Sequence, residues 1–235
     1  MELPAPPWQR PAKVKPVRRQ LSQESVVDAA LRVLDKEGLD AVTMRRVAQE
    51  LETGAASLYV HVANKDELHR LILDRVSGEI PLPEPDPERW EEQIKQLLRD
   101  SVQVFASHPG VAQIAMADIP SGPNALRMME CMLSLLRMGG LPDQVAAWAG
   151  DLLGLFVPAS ALEATLFQNN DRSTPGEIAE WTAQFRGYLA ALPADRFPTL
   201  VALAGPMTTG DGHERFEFKL DVLLSGLVAV ARRTS

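Results

Sequence analysis

The sequence predicts an all-α protein, with a small head of short helices followed by a larger helical domain. Apolar residues recur three and four positions apart, helix start and stop signals punctuate the chain, and no persuasive strand alternation is found. The 235 residues, 46% of them hydrophobic, suit one or two globular domains. We expect a disordered basic arm over 1–20, a head over 21–78 and a C-terminal domain over 79–235.

The composition excludes several classes of protein and site. A single cysteine, Cys131, excludes an internal disulfide framework and every zinc site built on several cysteines. Four scattered histidines and no glycine-rich phosphate loop provide no set of nucleophile, base and orienting group. We therefore expect no enzyme activity, no cofactor and no metal site. The sequence shows no signal-peptide pattern and no uninterrupted apolar run of about 18 residues, so we expect a cytoplasmic protein without a membrane partner.

Charge is distributed unevenly along the chain. The net charge of −7 taken alone argues against a general nucleic-acid binder. Residues 1–77, however, carry 12 basic and 11 acidic side chains, whereas the remainder carries 12 and 20. Within 1–20, five basic residues and five prolines predict an extended arm. Such an arm is either a solvated tail or a segment that follows phosphates or enters a minor groove.

The first helix is predicted to begin after Ser22, which supplies an N-cap. Leu21 and Val26 occupy the two positions of a hydrophobic staple. An apolar stripe at helical spacing gives the helix one buried face. The stripe consists of Val27, Ala30, Leu31 and Leu34. Gly38 is the stop signal.

Three more helical segments follow within the head. The second helix begins at Thr43 and is about two turns long, and Asn64 caps the fourth. The turn 52–54 contains Gly54, which we expect to take a backbone conformation that other residues avoid. The segment 55–61 is too short to be a stable helix alone, and its outward side chains are small.

The second and third helices have the spacing of a helix-turn-helix, in which the second helix of the motif enters the major groove of DNA. Ser57 can hydrogen-bond a base or a phosphate, and Ala55 and Ala56 can touch thymine methyl groups. Flanking basic residues can contact phosphates, which fix the register of the protein on the duplex. These are Arg45 and Arg46 at the start of the second helix and Lys65 at the start of the fourth. The alternative is a helical adaptor that uses the head for protein contacts.

The head resembles the TetR family of bacterial transcriptional repressors in two stretches. They are Thr43-Met44-Arg45-Arg46-Val47-Ala48 and Ser57-Leu58-Tyr59-Val60-His61-Val62-Ala63-Asn64-Lys65-Asp66-Glu67-Leu68. The resemblance implies an all-helical homodimer with a three-helix DNA-binding head and a C-terminal domain for effector binding and dimerisation. It also implies that DNA is contacted from the second helix, the recognition helix and the start of the fourth helix. The matching positions are Thr43, Arg45, Ala55, Ala56, Ser57, Tyr59, His61 and Lys65.

The resemblance leaves three details of the head open. Many members have Gly-Val-Ser where this chain has residues 52–54, so capping of the recognition helix rests on Thr53 or on Gly54. Tyr59 either packs against the core of the head or reaches a phosphate through its hydroxyl. His61 either contacts a phosphate or is a surface histidine.

The C-terminal domain is predicted to be helical throughout. The pair Asp86-Pro87 predicts a helix with Pro87 at its first position. The predicted spans are 87–107, 109–118, 122–138, 143–168, 176–191 and 212–232, with room for a short turn near 195–204.

Two of these helices are candidates for a subunit interface. The 143–168 helix is apolar on nearly all sides and must be covered on more than one face, and the 212–232 helix carries a broad apolar stripe. In the TetR family, similar helices of two subunits pack as a four-helix bundle, which implies a homodimer. The alternative is that both helices belong to the core of one chain.

A methionine-rich region in the middle helices is the candidate effector site, because methionine lines adaptable apolar cavities well. The alternative for each of its residues is ordinary core packing. The candidate lining residues are Phe105, Met116, Met128, Met132, Trp148 and Phe156. The predicted function is therefore that of a ligand-responsive repressor, which binds a palindromic double-stranded DNA operator as a homodimer. A small-molecule effector would release it.

Overall fold

The computed structural model describes residues 21–169 and 174–234, so the predicted arm over 1–20 lies outside the described residues. Within them the chain forms eleven α-helices, one short 3-10 helix and no strand, which confirms the all-α prediction. The head consists of α1 (Gln23–Glu37), the 3-10 turn Leu39–Ala41, α2 (Met44–Glu50), α3 (Ala55–Leu58) and α4 (Lys65–Ser77). The C-terminal domain consists of α5 (Trp90–Ser107), α6 (Val111–Ala117), α7 (Pro123–Met138), α8 (Asp143–Asn169), α9 (Pro175–Ala190), α10 (Pro198–Met207) and α11 (Gly212–Thr234).

The helices of the head begin where the sequence predicts caps. Ser22 accepts a hydrogen bond from the backbone of Ser25, and Asn64 accepts one from the backbone of Glu67. Thr43 caps α2 in the same way, because its hydroxyl accepts from the Arg46 N–H at 3.1 Å. Side chains from α1, α2, α3 and α4 then meet in one fully buried core. Its members include Val26, Leu34, Val47, Leu58, Leu68 and Ile72.

The turn between α2 and α3 differs from the prediction. Gly54 has an ordinary extended backbone, with φ −81°, and Glu52 takes the left-handed conformation instead, with φ 52°. Two hydrogen bonds require this geometry. The Glu52 N–H donates to Gln49 O at 3.1 Å and the Thr53 N–H donates to Ala48 O at 2.9 Å. A helix end with this pattern of hydrogen bonds normally has glycine at the left-handed position. In this protein Glu52 occupies that position.

The C-terminal domain is built around α8, which packs against α5, α6, α7 and α11. The segment Asp143–Thr165 is long and apolar enough to cross a membrane by length and composition alone. Its contacts with four other helices are those of a core helix. The helix continues through Pro158 without a break.

Two predicted element boundaries in this domain are wrong. Helix α5 begins at Trp90 and not at Pro87, because the Asp86 carboxylate accepts the Glu88 N–H and closes a local turn first. Gln93 holds that turn by accepting the Asp86 N–H at 2.8 Å. The segment near 195–204 is a ten-residue helix, α10, rather than a short turn.

Candidate nucleic-acid interface and effector site

The recognition segment is anchored by two apolar side chains and presents the others. Leu58 is fully buried and Val62 is 1% exposed, and both belong to the core of the head. The N–H groups of His61 and Val62 both donate to Leu58 O at 2.9 Å, so a helical turn extends past α3 to residue 62. Because Leu58 and Val62 lie on successive turns of the same face, the other face of 55–61 is left open to a partner.

The small residues of the segment lie where a close approach by DNA is possible. Ala56 and Ser57 are exposed, while Ala55 is partly buried against the core. Gly54 caps α3 without a side-chain hydrogen bond, so neither Thr53 nor Gly54 supplies a capping side chain. A Cβ built at Gly54 meets no atom within 4 Å, which shows that the start of α3 is open space.

Tyr59 and His61 differ in how far they project. Tyr59 is 55% exposed, which leaves its hydroxyl accessible. His61 is half-buried, and its carbonyl accepts a hydrogen bond from the Gln23 side chain at 3.1 Å. That bond ties the end of the recognition segment to the first turn of α1.

The two adjacent arginines of α2 have different environments. Arg45 is exposed and forms no salt bridge with any residue in the described part of the chain. Arg46 donates from Nη2 to Glu37 Oε1 at 2.6 Å and to Glu50 Oε2 at 3.1 Å. Its hydrogen bonds lower the pKa of the Glu37 carboxyl, and those from Arg46 and Arg32 lower that of Glu50. Arg46 thus links α2 to α1, a role that the local sequence does not indicate because Glu37 is nine residues away.

The environment of Lys65 is similar to that of Arg45. It is the first residue of α4, is exposed, and forms no salt bridge with a described residue. Thr43 by contrast is exposed but already uses its hydroxyl to cap α2. The structure therefore places two unpaired cations, Arg45 and Lys65, on the elements that precede and follow the recognition segment.

The residues predicted to line an effector site are spread over two environments. Phe105 and Met132 are buried, and Met128 and Phe156 are partly buried against the same core. Phe156 stacks on Phe216 of α11, with ring centroids 5.7 Å apart. Met116 and Trp148 lie on the surface, where they are 52% and 69% exposed.

A cavity of about 570 Å³ lies between α5, α8 and α11. Polar and apolar side chains both line it, among them Phe216, which stacks on Phe156. The lining residues are Gln96, Arg99, Asp100, Val102, Gln103, Ala106, Ser107, Ala164, His213 and Phe216. Sequence reasoning missed this cavity because its walls come from three helices far apart in the chain and share no motif.

Ion pairs fix the wall of this cavity. Arg99 donates to both carboxylate oxygens of Glu217 at 2.8 Å and to Glu92 at 2.9 Å. The hydrogen bonds to Glu217 and Glu92 raise the pKa of the Arg99 guanidinium, and the same contact lowers that of Glu217. A bidentate pair of this kind holds α11 against α5 in one register.

Comparison with known proteins decides the family. The model for the TetR family of bacterial regulatory proteins matches residues 26–71, and the model for the tetracycline repressor-like C-terminal domain matches residues 82–231. The second match alone covers more than half of the chain. The chain belongs to the TetR family.

Relatives of this TetR protein include named regulators and repressors. It is 35% identical to the transcriptional repressor DrrR1 of Streptomyces coeruleorubidus, over 91% of this chain and 80% of that protein. It is 32% identical to an HTH-type transcriptional regulator of Saccharopolyspora erythraea, over 97% of this chain and 93% of that protein.

Solved structures of ActR from Streptomyces coelicolor have the same fold. The apo structure is 46% identical, with a TM-score of 0.82 and coverage of 92% of this chain and 98% of ActR. The complex of ActR with actinorhodin is also 46% identical, with a TM-score of 0.83 and coverage of 92% and 100%. The present chain is accordingly a ligand-responsive transcriptional repressor, and proteins of this kind bind DNA and form dimers.

Proposed function

We propose that the chain represses transcription by placing residues 55–61 of each subunit of a homodimer in successive major grooves of a palindromic operator. The observation that carries the proposal is the open surface of α3 between the unpaired cations Arg45 and Lys65. Small side chains let the backbone approach the bases, and the two cations bind phosphates on either side. The head would correspond to residues 21–78 and the regulatory domain to 79–235.

Within this interface each residue has a distinct role. Ser57 donates to a base or a phosphate, and Ala55 and Ala56 contact thymine methyl groups. The Tyr59 hydroxyl and the His61 ring reach phosphates at the edge of the groove. Thr43 acts at the start of α2 chiefly as a cap, and Arg46 holds α2 against α1 rather than contacting DNA.

The dimer is proposed to form through α8 and α11, as in a four-helix bundle. Helix α8 exposes Trp148, Leu152 and Leu155, four and three residues apart on one face. Helix α11 exposes Phe218, 69% accessible, and Val222, 53% accessible, on a similar face. Two such apolar stripes on helices that pack against each other support burial against a second copy. Trp148 is therefore assigned to the subunit interface rather than to the effector site.

The effector is proposed to enter the cavity between α5, α8 and α11, at the aromatic pair Phe156 and Phe216. Phe156 and Phe216 pack against the core that contains the buried Phe105 and Met132, as does the half-buried Met128, and the methionines make that core adaptable. ActR is crystallised with actinorhodin. We take actinorhodin as the first probe for this chain. We expect the protein to act in the cytoplasm and to have no catalytic activity.

Operator selection from randomised duplexes, followed by hydroxyl-radical footprinting, tests the DNA part of the proposal. The expected footprint has two symmetric halves about 34–36 Å apart, or a multiple of that distance. Actinorhodin added to the complex should then release the selected duplex. An asymmetric footprint would contradict the dimeric interface, and a complex that persists with actinorhodin bound would contradict the effector mechanism.

A further inference from the structure

The first turn of α7, in the C-terminal domain, is capped by a residue of the head. The N-cap residue Gly122 has no side chain to offer, and Pro123 has no N–H. The next two amides donate to one oxygen of Asp74 on α4, from Asn124 N at 2.9 Å and from Ala125 N at 3.0 Å. A capping side chain would normally accept from these two amides. At the start of α7 they depend instead on a residue 50 positions away in the sequence.

A side chain of α7 adds to the contact. The side-chain amide of Asn124 donates to the second oxygen of Asp74 and to its backbone carbonyl, both at 3.2 Å. The Asp74 carboxylate thus accepts three hydrogen bonds in a partly buried site, and the negative charge lies at the positive end of the α7 dipole. Such bonds to an ionised group are stronger than those between neutral groups.

Two glycines make room for this arrangement. A Cβ at Gly122 would lie 2.2 Å from atoms of the Asp74 carboxyl group. A Cβ at Gly78, one turn beyond Asp74, would lie 2.9 Å from the Asn124 amide nitrogen. Neither glycine has a positive φ, so neither is needed for a left-handed backbone. Close approach of α4 to α7 is what excludes larger residues at these positions.

The position of Asp74 on α4 gives the contact a mechanical consequence. Helix α4 begins at Lys65, beside the recognition segment, and Asp74 lies about 14 Å along the same rigid helix. Helix α7 packs against α5 and α8, and its Met132 is buried in the core against which Phe156 and Phe216 of the proposed effector site also pack. A shift of the first turn of α7 must either carry α4 with it or break three charge-assisted hydrogen bonds.

We propose that Asp74 is the positioning residue that fixes the orientation of the DNA-binding head relative to the regulatory domain. It acts as an N-cap supplied from one domain to a helix of the other. Loss of its carboxylate should leave both domains folded and remove this connection between α4 and α7. Only the part of the test that uses operator DNA depends on the DNA interface proposed above.

Amide hydrogen exchange in the full-length protein tests this role first without DNA. In Asp74→Ala the amides of Asn124 and Ala125 should exchange about fivefold faster, as expected for a lost helix cap. Asp74→Asn, whose amide oxygen can still accept from both backbone groups, should restore most of the protection. Asp28→Ala is the matched control, because it removes an aspartate that contacts α4 from within the head, 3.6 Å from Arg75. Unchanged exchange at 124 and 125 in Asp74→Ala would overturn the proposal.

The second arm adds a duplex selected with the wild-type protein. Operator binding should slow exchange both in the recognition segment 43–61 and in the distant segment 122–128. In Asp74→Ala, protection should persist in 43–61 and vanish in 122–128, whereas Asp28→Ala should keep both. Protection still transmitted in Asp74→Ala would overturn the proposal, as would a head that no longer binds the operator. A wild-type head without protection would instead contradict the DNA interface, and the first arm would still decide the role of Asp74.

Discussion

The head and the C-terminal domain bury their apolar residues differently. In the head, the large side chains of α1, α2, α3 and α4 meet in a core that one chain closes by itself, with Leu34, Leu58 and Leu68 fully buried. In the C-terminal domain, Trp148, Leu155 and Phe218 remain more than half exposed on long helices. The head therefore closes its core within one chain, whereas the C-terminal domain leaves large apolar side chains exposed on the surface through which we propose that a second copy packs.

The largest expected effect comes from opening the core of the head. Leu58→Ala should lower the free energy of unfolding by about 2–5 kcal/mol, because a fully buried leucine leaves a cavity. It should also abolish operator binding, since Leu58 anchors the recognition segment. Leu155→Ala, at a position 58% exposed, is the control in dilute, monomeric protein. Chemical denaturation measures the free energy of unfolding of both variants. Equal losses of stability would contradict the difference between the two regions.

The next effect concerns association. Phe218→Asp should weaken the dimer by about 2 kcal/mol or more, because it places a charge on each side of an apolar interface. Tyr188→Asp on α9, at a residue 64% exposed, should leave the dimer intact. Sedimentation velocity over a range of concentrations distinguishes them. Dimers of equal strength in both variants would place the subunit interface elsewhere.

Local signals in the sequence predicted the head well. Ser22, Thr43 and Asn64 each cap the helix that follows because a cap needs only residues two or three positions away. The exposed Arg45 and Lys65 likewise match a motif that is continuous in sequence. These features are encoded within a few residues, so a single sequence is enough to find them.

Contacts between distant residues were not predictable in the same way. Arg46 reaches Glu37, nine residues away, and Asp74 reaches Asn124, 50 residues away, and no pattern near Glu37 or Asp74 indicates these contacts. The sequence gives only an indirect indication of the Asp74 contact. Helix α7 begins at Gly122-Pro123 without a capping side chain of its own, so its first amides need a partner from elsewhere. The left-handed conformation of Glu52 is not predictable from the sequence, because Gly54, two residues later, carries the stronger local signal for that conformation.

A moderate effect is expected from relaxing the turn of the helix-turn-helix. Glu52→Gly should stabilise the protein by about 0.5–1 kcal/mol, because glycine adopts the positive φ of this position without a steric penalty. Gly54→Ala is the comparison, since that residue has a negative φ and open space around it. Thermal unfolding measures both variants. Destabilisation by Glu52→Gly would show that the glutamate side chain contributes more than the backbone strain removes.

The smallest effect is a pH dependence at the junction between the two regions. His108, between α5 and α6, lies 2.9 Å from Asp35 of α1 and 3.2 Å from Glu79 beyond α4. Burial disfavours its charged form, but the hydrogen bonds to Asp35 and Glu79 outweigh this and raise the pKa of His108 above its usual 6.5. The resulting stabilisation is complete below the unfolded-state pKa and is lost as the pH rises through the raised value.

Replacement of this histidine tests the assignment. The wild-type protein should lose stability relative to His108→Gln as the pH rises above 6.5, while the variant shows a flatter profile in that window. Parallel profiles of denaturant midpoint against pH for the two proteins would contradict the bridging role of His108.

A comparison of variants at Arg45 and Arg46 is the most direct test of how the head binds DNA. Fluorescence anisotropy with a selected operator, over a series of salt concentrations, measures both affinity and its salt dependence. Arg45→Ala should weaken binding and reduce the slope of log K against log salt by about 1 per subunit, with an unchanged melting temperature. Arg46→Ala should lower the melting temperature and keep the slope. A reduced slope in Arg46→Ala together with an unchanged slope in Arg45→Ala would contradict the account.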